Sequence, residues 1–190
     1  MKNKVLIIDN YDSFTYNLRQ IVEEFHYEYS VFKNNQLSFE EIDEYNKILI
    51  TPGPGLPSEA GIVKEMIKKY EAKKSILGIC LGHQAIAEVF GSELYNFSKV
   101  CHGITTSIDV ILPTDYIFEN ISNEFEAGLY HSWAVSKNNF PDCLKITATS
   151  RENVIMAISH KMYDVKGVQF HPESIMTKQG ARIIENWLRH

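Results

Sequence analysis

The chain has 190 residues, of which 44% are hydrophobic, as is usual for a globular domain with a sizeable core. Its 19 basic and 24 acidic residues give a net charge of −5, which argues against a nucleic-acid or anionic-membrane surface. No apolar run is long enough to span a membrane, and the three scattered cysteines fit a reducing cytoplasm better than a disulfide framework. We therefore expect a single cytoplasmic domain over residues 1–190.

The first 90 residues alternate between strand-like and helix-like segments. Short apolar runs predict buried strands at residues 5–8, 29–32, 48–50 and 75–77. Helical stripes lie between them, one formed by Phe14, Leu18, Ile21, Val22 and Phe25, the other by Ile62, Val63, Met66, Ile67 and Tyr70. We expect Asp12 or Ser13 to cap the first of these helices. The order predicts an α/β fold with a mostly parallel open sheet, helices on both faces and ligand binding at the carboxyl ends of the strands.

The second half of the chain is rich in strand patterns. Predicted strands cover residues 105–112, 129–135, 144–149, 154–159 and 165–170. A last helix is expected from Thr177 to Leu188, with Ala181, Ile184, Trp187 and Leu188 on its buried side. The sequence contains no repeat, linker or low-complexity segment.

The pentapeptide Gly78-Ile79-Cys80-Leu81-Gly82 follows an apolar strand and precedes a helical pattern. This arrangement is typical of a nucleophile elbow, with cysteine in the place of serine. The glycines indicate a sharp turn without room for side chains, and the turn places the Cys80 sulfur at the start of the new helix. The positive end of that helix favours the thiolate, which is the attacking species. The alternative is that Cys80 is a small buried hydrophobic residue.

A base for this nucleophile is available in residues 167–174, which have the pattern of a strand that runs into a turn. Residues two apart in an extended chain point to the same side, so His171 and Glu173 can face one site. An imidazole beside a carboxylate is the base and orienting group of a triad. A surface histidine next to a glutamate is the alternative.

Half of the six prolines lie in residues 51–57, after a strand-like run. Alternating proline and glycine give a rigid backbone that a ligand can approach closely, and they leave the glycine N–H groups as donors. These N–H groups suit an oxyanion hole, with the Leu81 N–H as the second donor. A simple turn at the end of a strand is the alternative. The segment lacks the third glycine of a dinucleotide-binding fingerprint, and the chain contains no phosphate-binding loop.

Together these motifs resemble the class I (triad type) glutamine amidotransferases over essentially the whole chain. The motifs that carry the resemblance are residues 9–18 (DNYDSFTYNL), 51–55 (TPGPG), 78–84 (GICLGHQ), 130–133 (YHSW) and 167–174 (GVQFHPES). The first motif resembles the branch that serves chorismate-using synthases.

The resemblance implies a role for each matching residue. Cys80 would attack the side-chain amide of L-glutamine, His171 would transfer protons, and Glu173 would orient His171. The oxyanion donors would come from Gly53 and Leu81. The remaining positions implied to line or bind the glutamine pocket are Pro54, Gly55, Gln84, Ser132 and Trp133. Ammonia would pass to a chorismate-binding synthase subunit, either anthranilate synthase component I or its para-aminobenzoate counterpart, and no cofactor would be needed in this chain.

Two positions depart from the family pattern. Leu129 stands where a basic residue is frequent, which puts any charge contact to a partner in doubt, and Trp133 stands where a smaller aliphatic residue is frequent. His83 lies one turn after Cys80, and His102 follows Cys101, but a structural zinc site has paired ligands with tighter spacing, so no metal is expected. Tyr11, Phe14 and Tyr16 fit either core packing or a surface that faces the synthase.

Three functions are compatible with these sequence features. The first is a glutaminase subunit for anthranilate synthase, with para-aminobenzoate synthase or service to both as the alternative. The second is a free-standing cysteine hydrolase that acts on glutamyl amides or peptides. The third is a regulatory subunit without activity, against which the intact Cys80, His171 and Glu173 argue.

Overall fold

The computed structural model describes residues 4–190, apart from the side chains of residues 98–101, among them the thiol of Cys101. These residues form one sheet flanked by helices. The strands are β1 (Lys4–Asp9), β2 (Glu28–Lys33), β3 (Lys47–Ile50), β4 (Ser75–Ile79), β5 (Leu94–Val110), β6 (Glu124–Val135), β7 (Leu144–Ser150), β8 (Ile155–His160) and β9 (Val165–Val168). The helices are α1 (Thr15–Glu24), α2 (Phe39–Ile42), α3 (Val63–Tyr70), α4 (Leu81–Val89) and α5 (Gly180–Arg189).

The strand order in the sheet is β2-β1-β3-β4-β9-β8-β7-β5-β6. All pairs from β2 to β9 are parallel, and all pairs from β9 to β6 are antiparallel. The prediction of an α/β fold, with a mostly parallel open sheet, helices on both faces and a strand-rich second half, is confirmed, and the second half makes the sheet a mixed one. Strand β9 is the last in sequence, yet it lies between β4 and β8 and joins the two halves.

The core consists of two apolar clusters on opposite faces of the sheet. Along β1, Val5 and Ile7 belong to one cluster, whereas Leu6 and Ile8 belong to the other. Helices α1 and α5 cover the first face, and α3 and α4 cover the second. Because a parallel strand is covered on both sides, its residues read as one continuous apolar run, as the sequence of β1 does.

Two local predictions are wrong. Helix α1 has Phe14 at its N-cap position, and no side chain caps the helix. The Asp12 carboxylate accepts the N–H of Phe14, which lies one residue before the first helical residue. Helix α5 begins at Gly180, and Ala181 is exposed while Ile183 is buried. The Thr177 hydroxyl donates to the His171 carbonyl, which holds residues 177–179 in a turn that sets the face of the helix.

A buried ion pair lies at the amino-terminal end of β9. The Lys166 Nζ lies 2.9 Å from Asp115 Oδ2, with side-chain exposures of 10% and 4%. The Ser159 hydroxyl also donates to this carboxylate. The pair attaches β8 and β9 to the segment that leads into the short helical turn Tyr116–Phe118.

We expect Lys166→Met to destabilise the fold by about 3–5 kcal/mol, because it leaves the Asp115 carboxylate buried without its cation. The double variant Asp115→Asn/Lys166→Met should lose clearly less, since no charge remains and the asparagine still accepts a hydrogen bond. Urea unfolding of the three proteins measures the difference. A double variant less stable than Lys166→Met would contradict this account of the pair.

Candidate active site

Cys80 occupies a strained turn between β4 and α4. Its backbone has φ 50° and ψ −98°, a conformation that a non-glycine residue adopts only when its surroundings enforce it. The enforcement comes from close packing: a Cβ on Gly78 would lie 2.4 Å from the Gly82 carbonyl carbon, and one on Gly82 would lie 2.8 Å from the Ile50 oxygen. The predicted nucleophile elbow is therefore present, and both glycines are needed for steric reasons.

The first turn of α4 also presses against β9. A Cβ on Gly167 would lie 2.9 Å from the Nδ1 atom of His83, whose side chain is fully buried. Burial lowers the pKa of His83 to about 3, so the imidazole is neutral and acts as a core residue. Among residues with described side chains, no group of three or more His, Cys, Asp or Glu could hold a metal ion.

The His171–Glu173 pair forms as the alternation of an extended chain predicts. The Nδ1 atom of His171 lies 2.7 Å from Glu173 Oε1, and both side chains are buried. Because an ionised carboxylate only accepts, the Nδ1 atom carries a proton. Burial lowers the pKa of His171, but interactions with the Cys80 sulfur and Glu173 outweigh it and raise the pKa to about 10.

Two aromatic rings restrict the His171 imidazole. Tyr130 from β6 lies 4.8 Å from it between ring centroids, and Phe14, which precedes α1, lies 5.5 Å away, both in edge-on arrangements. The Tyr130 hydroxyl is 3.2 Å from both the Ser174 Oγ and the Met176 Sδ atoms. The base is thus held by its own turn and by two segments that are distant in sequence.

The proline–glycine loop is held against the elbow by a buried amide network. The Asn10 amide donates to the Thr51 carbonyl at 2.8 Å and its Oδ1 accepts from the Asn34 amide at 2.9 Å. A Cβ on Gly53 would lie 2.5 Å from the Asn10 Cβ and 2.9 Å from the Leu81 Cδ2. Gly53 therefore packs closely against Asn10 and the Leu81 side chain, which places the loop next to the first residue of α4.

A cavity of about 140 Å³ opens in front of the nucleophile. It is lined by Gly53, Pro54, Gly55, Cys80, Gln84, Tyr130, His131, Ser132 and Trp133. Seven of the ten predicted site residues thus share one cavity wall. Of the other three, Leu81 is buried against Gly53, His171 interacts with the Cys80 sulfur, and Glu173 pairs with His171. Three of the five sequence motifs, residues 51–55, 78–84 and 130–133, thus line a single pocket.

Leu129 lies outside this pocket. It is 4% exposed and lines a separate, larger cavity of about 330 Å³ together with Phe97, Ile104 and Met156. Trp133 reaches the active site through its backbone, because its carbonyl accepts from the Gln84 Nε2 atom at 2.8 Å. A large side chain at position 133 is therefore compatible with the pocket.

Sequence reasoning missed Gln169. This residue is fully buried, and its Nε2 atom lies 3.5 Å from the Cys80 sulfur, within hydrogen-bonding range for sulfur. The alternation that pairs His171 with Glu173 also places Gln169 on the same side of the chain, so the sequence pattern could have identified Gln169 as a site residue. The Asn10 network was missed too, because asparagine after a strand is compatible with an ordinary turn.

The comparison with known proteins decides the family. The family model described as "Glutamine amidotransferase class-I" matches residues 6–190. The chain belongs to the class I glutamine amidotransferases. Among the relatives of this amidotransferase, the putative anthranilate synthase component II of Haemophilus influenzae is 44% identical over 97% of the chain and 95% of the relative. The aminodeoxychorismate/anthranilate synthase component 2 of Bacillus subtilis is also 44% identical, with the same coverage.

Other similar proteins agree with this assignment. The aminodeoxychorismate synthase component 2 of Escherichia coli is 42% identical and is covered over 98% of its length. The crystal structure of a putative GMP synthase protein from Thermoplasma acidophilum has a TM-score of 0.89 at 24% identity, and the match covers all of this chain and 94% of that one. The structural match shows that the two chains share a fold.

The raised pKa of His171 sets the expected pH dependence. We expect kcat/KM for glutamine hydrolysis to fall as the pH rises through about 10, because the imidazolium then loses the proton that the leaving ammonia needs. Glu173→Gln should move this alkaline limb to lower pH, since the carboxylate helps to raise the pKa. Ammonia release measured across the pH range tests both statements.

Glu185→Gln is the matched control for Glu173→Gln, because Glu185 is also a buried glutamate but pairs with Arg182 and Arg189 on α5. Its alkaline limb should coincide with that of the unmodified enzyme. An unchanged limb in Glu173→Gln would contradict the role assigned to that carboxylate.

Proposed function

We propose that this amidotransferase is the glutaminase subunit of a chorismate-using synthase, and that this synthase is anthranilate synthase. The observation that carries the proposal is the arrangement of the three triad residues: Cys80 lines the pocket, His171 interacts with its sulfur, and Glu173 lies 2.7 Å from the His171 ring. The relatives of the chain match over nearly their full length. Those relatives are named as second components of synthases, which implies a partner subunit that is the first component.

The first half of the reaction forms a thioester. The Cys80 thiolate attacks the side-chain amide carbon of glutamine, and the backbone N–H groups of Gly53 and Leu81 bind the oxygen that becomes negative. The His171 imidazolium then donates its proton to the amide nitrogen, the C–N bond breaks, and ammonia leaves. Glu173 stabilises the charged imidazole throughout and keeps its Nε2 atom towards the sulfur.

The second half regenerates the enzyme. Neutral His171 takes a proton from water, the hydroxide attacks the thioester carbon, and the same oxyanion donors stabilise the second intermediate. Collapse of this intermediate releases glutamate and the thiolate. Ser132 and Trp133 line the pocket beside Gln84, where they can hold the polar ends of the glutamine. No step needs a cofactor or a metal, and we assign the reaction to the cytoplasm.

Service to two synthases is the second candidate. It is favoured by the names of the relatives, because a component named for anthranilate synthase and one that carries both names are equally similar to this chain at 44% identity. A relative named for aminodeoxychorismate synthase alone is only slightly less similar, at 42%. The chemistry of the glutamine site is the same for both partners, so the choice lies at the docking surface.

The docking surface proposed here lies next to the base. Ile175 is 96% exposed, and it lies between Ser174 and Met176, which both contact Tyr130. Phe14 also packs on the His171 ring, and the segment that contains Phe14 carries the exposed Tyr16. We expect the turnover of the isolated subunit to be weak and to rise when the partner and chorismate bind. A synthase bound at this surface would touch residues that restrict His171, which gives a physical route for such stimulation.

Cys80→Ser should abolish glutamine-dependent synthesis with the partner and leave ammonia-dependent synthesis intact, because only the glutaminase step uses the thiolate. The measurement is product formation by the reconstituted complex with each nitrogen source. Each reconstitution is run with an anthranilate synthase component I and with its aminodeoxychorismate counterpart, so that the product identifies the partner. Glutamine-dependent synthesis that survives Cys80→Ser would refute the proposal. Equal glutamine turnover with and without any synthase would instead support a free-standing hydrolase.

Ile175→Asp should weaken the stimulation of glutamine turnover by the synthase at least tenfold, because it places a charge in an apolar contact, and should leave isolated turnover unchanged. Met162→Asp is the matched control, since Met162 is 83% exposed but lies in the turn between β8 and β9, at the opposite end of the sheet. Equal stimulation of both variants would exclude the surface around Ile175.

A further inference from the structure

The Cys80 sulfur has a neighbour that the triad does not use. Gln169 directly follows β9, and Cys80 directly follows β4, in a register that pairs Val168 with Ile79. The residues that follow the two strands, Cys80 and Gln169, therefore lie side by side at the carboxyl edge of the sheet. The Gln169 Nε2 atom is 3.5 Å from the sulfur, and no part of Gln169 is exposed to solvent.

The orientation of the Gln169 amide is fixed by a chain of hydrogen bonds. The chain starts at the Trp133 carbonyl, which can only accept, so the Gln84 amide must present its NH₂ group there, at 2.8 Å. The same NH₂ group faces the Gln169 Oε1 atom at 3.2 Å. If the Gln169 amide were reversed, two NH₂ groups would face each other and its oxygen would face the sulfur. The chain therefore directs an N–H donor towards Cys80.

Such a donor has a definite effect on a sulfur nucleophile. A thiolate accepts hydrogen bonds more strongly than a thiol, so a buried N–H that faces the sulfur favours the negative form. The backbone of Cys80 is tied to the same strand, because its N–H donates to the Val168 carbonyl at 2.8 Å. This bond holds the Cys80 backbone beside the end of β9, where Gln169 begins the next segment.

We infer that Gln169 is a further catalytic residue, which stabilises the Cys80 thiolate through its amide N–H, and that Gln84 holds this amide from the substrate side of the pocket. The inference rests on the proposed role of Cys80 as nucleophile. It links the wall that contacts the glutamine to the atom that attacks it. A ligand that displaces the Gln84 amide would thereby also change the hydrogen bonding of the sulfur.

The test is the pH dependence of Cys80 alkylation by iodoacetamide, followed at the Cys80 peptide by mass spectrometry. Gln169→Met keeps the size of the side chain and removes the donor. We expect the pH at which alkylation is half-maximal to rise by about one to two units, as for the loss of a hydrogen bond to a charged group. Gln169→Glu keeps the shape and the acceptor for Gln84, and its negative charge should raise the midpoint at least as far.

Two controls make the result specific. Gln20→Met changes an exposed glutamine on α1 and should leave the midpoint unchanged. The half-buried Cys143 serves as an internal reference thiol in every sample, and its alkylation should be the same throughout. If Gln169→Met folds poorly, as judged by its circular dichroism, Gln169→Glu carries the same test.

A midpoint for Gln169→Met and Gln169→Glu equal to that of the unmodified enzyme would overturn the inference and leave Gln169 as a space-filling residue. This outcome is independent of the synthase proposal, because alkylation needs neither glutamine nor a partner. Conversely, a failed reconstitution with both synthases would leave the alkylation result standing.

Discussion

The close approach of helix α4 to the sheet is the constraint on which the active site depends. Its first turn is so near to β3, β4 and β9 that Gly78, Gly82 and Gly167 have no room for a side chain. This packing forces Cys80 into a backbone conformation that an isolated chain would avoid, and it holds the sulfur at the positive end of the helix. Stability from the two apolar cores is thus used to maintain one strained residue where the chemistry takes place.

The catalytic groups come from the ends of neighbouring strands, so their geometry follows from sheet register more than from local loops. Strand β4 supplies Cys80, β9 leads to Gln169 and His171, and β3 leads to the loop that contains Gly53. Since these strands are parallel and adjacent, their carboxyl ends meet at one edge. The contribution of the antiparallel half is β6, whose Tyr130 packs on the base and whose Ser132 and Trp133 complete the pocket.

Much of this could be predicted because the relevant signals are local. The glycines around Cys80 and the alternation that joins His171 to Glu173 each lie within five residues. The structure shows close packing at the glycines and a 2.7 Å contact between the His171 and Glu173 side chains. Contacts that depend on tertiary structure could not be predicted in the same way. The exposure of Ala181 is decided by a turn that Thr177 fixes, and alanine itself favours neither face. The packing of Phe14 on His171 joins segments more than 150 residues apart, for which no periodic pattern exists.

The position of β9 has a consequence for how the molecule is made. The strand that completes the middle of the sheet is the last to be synthesised, and until it inserts, β4 and β8 expose unpaired edges to other chains. Insertion must also close a loop between β4 and β9, an entropic cost that slows folding. The nascent chain therefore has no base beside its thiol until the sheet is whole, so the reactive centre and the finished fold arise in the same step. Aggregation of incomplete chains through these edges is the hazard that such an order of assembly creates.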